Sequence, residues 1–247
     1  MTDLALLALI VFFAYGIEAA LGFGCTILAV TLAVHLYKLP VLLPVLVSLN
    51  LLLSTYIVLR HRDAVCWRVL LRRILPLMIL GLPAGMLLLT AGDGPYLKLG
   101  FGVFVVLLSA VELWRSRARH SAPTQPLSFW RAAAVLIVGG VMHGLYASGG
   151  PMAVYFASRE ALDKRQFRST LTLLWLLLNG ILMAAYVYRE LVTLETVKMS
   201  ALLLPPLLAG IVAGEWFHGK VAEHTFRRLV YALLLFGGLV LISGFVG

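Results

Sequence analysis

The sequence predicts an all-α integral membrane protein of about eight hydrophobic segments in two inverted four-segment repeats. The first segment of each repeat is predicted to be a glycine-broken re-entrant helical hairpin. Three observations lead there. Apolar runs of roughly 20 residues recur along the chain, the length that crosses a ~30 Å hydrocarbon core. Charged residues make up 13% of the 247 residues, the Lys and Arg among them sitting between those runs, while 62% are hydrophobic; a soluble domain carries about 25% charge. Each half opens on a segment too long for one straight span and interrupted by glycines.

Segment one covers residues 4–36, which as a single helix would reach ~50 Å, and breaks at Gly22-Phe23-Gly24. Segment two covers 41–59 and ends at Arg60, His61 and Arg62; segment three covers 74–90 with Pro76 and Pro83 inside; segment four covers 97–114. The polar stretch that follows, rich in Arg, Ser and Pro, is the clearest linker in the chain. It divides a first membrane repeat, 1–118, from a second, 129–247, with 119–128 as a cytoplasmic linker.

Segment five covers 129–157 and carries Gly139-Gly140, Gly144 and Gly149-Gly150-Pro151. Segments six, seven and eight cover 169–188, 197–217 (with Pro205-Pro206) and 226–246. The halves correspond: Asn50 with Asn179, Pro76 with Pro205, Gly81 with Gly210 and Gly85 with Gly214, all at an offset of 129. The glycine breaks align at a slightly smaller offset. Internal symmetry of this kind marks secondary transporters.

Net charge is +9 and mean hydropathy +0.99. In a soluble chain that charge would point to nucleic acid. Here the Lys and Arg residues sit between apolar runs, as in cytoplasmic loops of membrane proteins, and no nucleic-acid partner is expected. Cys25 and Cys66 have neither a disulfide nor a zinc spacing. The N-terminal run lacks a basic start and reads as a retained membrane segment.

Basic residues set the topology. If every segment crosses, 11 of them lie on one side and 9 on the other, against the positive-inside tendency. If segment five bends at Gly149-Gly150 and returns, the split becomes 16 against 4, the minority being Lys38, Lys98, Arg189 and Lys198. Symmetry extends the same fold-back to segment one. Each half then crosses an odd number of times, the Arg-rich loops are cytoplasmic, and both termini are extracytoplasmic. Broken backbone at membrane depth is tolerated only within protein or beside a water-filled cavity, so the two breaks are expected to meet.

A helix that starts at a glycine turn offers free N–H groups and a positive dipole end. The residues from Gly22, Phe23, Gly24, Cys25 and Thr26, and from Ser148, Gly149, Gly150 and Pro151, therefore make a candidate anion site without a buried Lys or Arg. Proline suits the first helical turn. Thr26 and Ser148 are candidate donors, or hydroxyls bonded to their own backbone. Tyr146 and Phe23 either line the cavity or pack beside it. Asn50 and Asn179 either line the site or bond helix to helix. Glu18 and His143 are intramembrane ionisable groups and candidate proton carriers, with a purely structural role as the alternative. No catalytic residue, cofactor or metal is expected; Glu215 and His218 have a metal-like spacing but only one copy.

The run Gly16-Ile17-Glu18-Ala19-Ala20-Leu21-Gly22-Phe23-Gly24, with His143-Gly144-Leu145-Tyr146-Ala147-Ser148-Gly149-Gly150-Pro151 and the four-plus-four layout, resembles the sulfite exporter TauE/SafE family of membrane permeases. The resemblance covers nearly the whole chain. It implies an inner-membrane transporter linked to export of sulfite, organosulfonates or other small organic anions. The expected driving force is the proton gradient, with protons as the coupling ion, or the membrane potential. The competing readings are a cation or metal transporter and a membrane-embedded protein that transports nothing.

Overall fold

The computed structural model describes residues 2–91, 94–118, 126–160, 162–217, 231–232, 234–240 and 242–243. Regular structure among them is entirely helical. The first half holds α1 (Thr2–Leu21), α2 (Cys25–Ala33), α3 (Leu39–His61), the short α4 (Trp67–Val69), α5 (Leu75–Ala91) and α6 (Gly94–Ala118). The second holds α7 (Phe129–Tyr146), α8 (Gly150–Ala157), α9 (Lys164–Tyr188), α10 (Leu194–Leu202) and α11 (Leu204–Phe217).

Five helical stretches are long and apolar enough to cross a membrane, and six if α10 and α11, bent by 44°, count as one. Pro205 and Pro206 explain that bend, since proline is tolerated in a first helical turn but not in a continuing one. The linker lies largely outside the described residues; of the predicted eighth segment, residues 231–232, 234–240 and 242–243 are described and are helical. The exterior is apolar, with Leu59, Leu80 and Val212 well exposed, and Trp114, Trp130 and Tyr188 exposed near helix ends. Such aromatic rims match membrane–water boundaries.

Packing is exchanged between the halves. The third-segment helix α5 lies along α7, and α11 lies along α1. Glycines permit both contacts: Gly81 and Gly85 meet the backbone at Ile137 and Val141, while Gly210 and Gly214 meet it at Phe12 and Gly16. Positions rise together in each pair, so the helices run parallel. Close backbone approach of this kind is how helices associate in lipid, where no hydrophobic force separates them from tails.

Polar contacts define two ends. At one, Arg165 bonds Asp63 at 2.7 Å, Arg73 bonds Glu160 at 2.7 Å, and the Cys66 N–H donates to Thr170 Oγ1 at 2.9 Å. The Arg60–Arg73 region and the Arg159–Arg168 region therefore share a face. At the other end, partial burial, then the charges of Asp3 and Glu195, hold the Tyr37 phenol above its usual range. The start of α1 and the turn after α2 therefore lie near each other.

Candidate functional site

At the first break, Gly22 and Gly24 take φ of 85° and 104°, a region where side chains are strained. A Cβ on Gly22 would also stand 2.9 Å from Arg168 Cγ and 3.0 Å from its Cα. The turn carries the chain into α2, whose first N–H, on Cys25, donates to Glu18 Oε2 at 2.9 Å. Dipole and N–H both favour a carboxylate there. One N–H of the α2 N-terminus is thus already taken by a carboxyl group of its own chain.

Glu18 Oε1 accepts from Asn50 Nδ2 at 2.7 Å, and that amide also reaches Cys25 Sγ at 3.0 Å. Asn50 Oδ1 accepts from Ser54 Oγ at 3.0 Å and from Asn179 Nδ2 at 2.7 Å. The two asparagines, 129 positions apart, are direct partners.

At the second break Ala147 takes φ 51° and its N–H returns to the His143 carbonyl at 2.7 Å. The chain doubles back on α7, since a Cβ on Gly149 would stand 2.3 Å from the Gly139 carbonyl oxygen. Then α8 begins at Gly150, with Pro151 in its first turn. His143 stands seven residues before Gly150, as Glu18 stands seven before Cys25.

The two positions differ in one respect. Neither ring nitrogen of His143, nor Asn179 Oδ1, makes a hydrogen bond of ordinary geometry among the described residues, although both residues are 1% exposed; the two side chains are each other's nearest polar contact, loosely held. Buried polar atoms are rarely left so. The His143 ring stacks on Trp175 with centroids 5.8 Å apart, and the Trp175 Nε1–H donates to the Gly22 carbonyl at 3.0 Å. Trp175 thereby ties one break to the other.

These groups surround a small cavity of about 20 Å³. Of the residues expected at a site, Glu18, Gly24, Thr26, Asn50, His143, Ser148, Gly150, Pro151 and Asn179 line it. Gly22, Phe23, Cys25, Tyr146 and Gly149 do not. Gly22 and Gly149 serve the turns, Cys25 supplies the N–H that Glu18 uses, and Phe23 faces a neighbouring apolar space. Tyr146 is buried against Phe101, with centroids 4.7 Å apart. Ser148 Oγ donates to the Tyr146 carbonyl at 2.9 Å, the backbone-bonded alternative.

Sequence reasoning missed Trp175, Ile27 and Ala147, which also line the cavity. Trp175 carried a signal: it sits in the middle of segment six, away from the interfaces where tryptophan is enriched, with an N–H to satisfy. Sequence reasoning also placed Arg168 in a loop. It is 5% exposed in the first turns of α9 and forms an ion pair with Glu215 of α11. That spends the Glu215 carboxylate; His218 lies outside the described residues.

The family model for the sulfite exporters TauE/SafE matches residues 7–241. No curated protein and no solved structure was found to match. A match over nearly the whole chain settles its kinship: it belongs to the sulfite exporter TauE/SafE family, and it is a multi-pass membrane permease.

Proposed function

We propose that this permease exports a small sulfur-containing anion, sulfite or an organosulfonate, from the cytoplasm across the inner membrane. The anion binds in the central cavity, and two inverted halves rock around it. The exchanged parallel pairs α1–α11 and α5–α7 support the inverted repeat. So does the direct bond between Asn50 and Asn179 at the repeat spacing. Ion pairs joining the two Arg-rich regions support a segment five that returns to its starting side. If so, the Arg-rich loops face the cytoplasm and both termini lie outside. Lys38→Cys is then expected to react with an impermeant maleimide from outside intact cells, and Arg62→Cys only after permeabilisation, in a Cys66→Ser background. The reverse pattern would refute the orientation.

The main support for anion binding is the open end of the cavity: a buried His143, in no more than loose contact with Asn179, beside the α8 N-terminus. Glu18 already takes the Cys25 N–H at the start of α2, so the substrate is assigned to the α8 end. There the free N–H groups and dipole of α8 meet the anion's oxygens, and His143 and Asn179 orient it. Glu18 shares the same small, water-poor cavity. Two full negative charges there repel strongly, so anion entry draws a proton onto Glu18. Passage then carries one anion with one proton.

Thermal unfolding of the purified permease against sulfite, sulfate, sulfoacetate, taurine, acetate and chloride tests the substrate class. A ligand at 100 times its Kd stabilises the folded state by about 2.7 kcal/mol. A saturable shift is expected with a sulfur anion and not with chloride. Gly150→Leu is expected to abolish it and still fold, because a Cβ there meets nothing closer than Trp175 at 3.9 Å and the longer chain fills the cavity. A shift with a divalent metal alone would favour the cation transporter.

A further inference from the structure

Arg168 is a buried arginine that the central site does not use. It is 5% exposed and lies on the inward stripe of α9. Residues seven and eleven apart on a helix fall within roughly 20° of one another, so Arg168 shares that stripe with Trp175 and Asn179 of the cavity wall. It stands about 10 Å from Trp175 along the helix axis. Its stem packs on the first break, since a Cβ on Gly22 would lie 2.9 Å from Arg168 Cγ. The Gly22 carbonyl in turn accepts from Trp175 Nε1 at 3.0 Å. Arg165, one turn earlier on α9, bonds Asp63 at the Arg-rich end. Arg168, Gly22 and Trp175 therefore follow one another from that end toward the cavity.

The guanidinium donates from Nη2 to Glu215 of α11, while Nε has no hydrogen-bond partner among the described residues. The partners are unequal: the Arg168 side chain is 6% exposed and that of Glu215 22%. His61, at the end of α3, lies within reach of the charges of Arg168, Glu215, Arg165 and Arg60. A rim of positive charge concentrates anions. Ionisable residues that face inward from a membrane helix mark substrate paths.

We propose that Arg168 is a second anion position, on the route between the Arg-rich face and the central cavity, and that Glu215 fills it until an incoming anion takes its place. This rests on the reading that the central cavity receives an anion from that face. A guanidinium recognises carboxylate and sulfur oxyanion alike, because each offers paired oxygens to its fork of N–H donors. An uncompensated buried charge is strongly unfavourable, so Arg168 releases Glu215 only to another anion. Glu215, the more exposed partner, is the one that swings away. Passage beyond Arg168 then requires the Trp175–Gly22 bond to open. A pair that merely tied α9 to α11 would be indifferent to the charge of what passes.

The test is the rate at which a thiol in the cavity reacts with two impermeant methanethiosulfonates, one bearing a sulfonate and one a quaternary ammonium. Ser148→Cys supplies the thiol in a Cys25→Ser, Cys66→Ser background. The vesicles used have the Arg-rich face outward, as labelling of Arg62→Cys identifies. Glu215→Gln leaves an oxygen for Arg168 and is expected to raise the sulfonate-to-ammonium rate ratio about ten- to a hundredfold, the worth of a hydrogen bond to a charged group. Arg168→Gln is expected to lower the ratio by a similar factor. The doubly neutral variant leaves no unpaired buried charge and is expected to speed both reagents, with a ratio between the two. An equal effect on both reagents in every variant makes the pair a tie between helices and overturns the proposal. Methanesulfonate added during labelling separates this from the central site. Protection of the thiol with an unmoved ratio overturns the Arg168 position alone; a shifted ratio without protection in any variant supports Arg168 and removes the central site.

Discussion

Glu18→Gln is expected to make anion binding independent of pH. In the native chain the carboxylate accepts from the Cys25 N–H and from Asn50 Nδ2 while it faces the substrate cavity. Binding an anion beside it requires a proton. By linkage, affinity for a permanently charged anion such as methanesulfonate falls about tenfold for each pH unit above the ionisation of Glu18. Over two units that is on the order of a hundredfold. Glutamine keeps the acceptor oxygen for Cys25 and carries no charge, so the slope disappears.

The other ionisable groups around Glu18 are few. Tyr15 lies on its own helix and Cys25 on α2; α3 offers only the neutral Asn50 and Ser54. Arg168 of α9 is engaged by Glu215 of α11, and His143 of α7 stands across the cavity. His143 gives the same sign of pH dependence, since an imidazolium attracts the anion. His143→Gln is therefore the needed companion, and in it the Glu18 slope is expected to persist. Measured binding curves between mildly acidic and mildly basic pH decide it. A full slope surviving in Glu18→Gln would remove Glu18 from the coupling.

Gly85→Val and Gly214→Val are expected to abolish the folded permease. A Cβ on Gly85 would stand 2.0 Å from the Val141 carbonyl oxygen, and one on Gly214 2.2 Å from that of Gly16. Neither neighbour is a side-chain tip that could swing aside. To admit a branched residue, α5 would have to leave α7, or α11 leave α1. Overpacking usually costs about 1–3 kcal/mol, and separating a backbone-to-backbone contact costs more. Gly180→Ala is the control: nothing lies within 4 Å of its Cβ, and alanine favours helix by roughly 0.5–1 kcal/mol over glycine. Monodispersity after detergent extraction and the thermal midpoint measure both. Valine variants as well behaved as Gly180→Ala would show that these contacts are dispensable.

The features legible in the sequence are those with local or compositional causes. Apolar run length marked the membrane segments, and Gly22, Gly24 and Gly149-Gly150 marked the places where helix stops. The match of Asn50 with Asn179 was legible as a spacing, though not as a hydrogen bond. Three features were not legible. That Glu18 folds around its own turn to cap α2 depends on the path from Leu21 to Cys25, which no periodicity encodes. Of the two helix ends expected to be open, the α2 end therefore has one N–H taken by its own chain. Trp175 bridges the breaks through a backbone carbonyl, and carbonyls carry no sequence signal. The small apolar space that Phe23 faces is assembled from four separate stretches of chain, each reading as ordinary hydrophobic sequence.

The exchanged packing also governs how the chain is made. The neighbour of α1 is α11, close to the far end of the sequence. Synthesis proceeds at about 5–20 residues per second, so α1 stands in the bilayer for roughly 10–40 s before Gly210 and Gly214 emerge. During that interval the groove at Phe12 and Gly16 faces lipid, or whatever insertion machinery holds it. Any truncation ahead of Leu204 leaves α1 permanently without its neighbour. Both α1 and α5 take their main neighbour from the other half, so neither pair closes until α7 or α11 has followed.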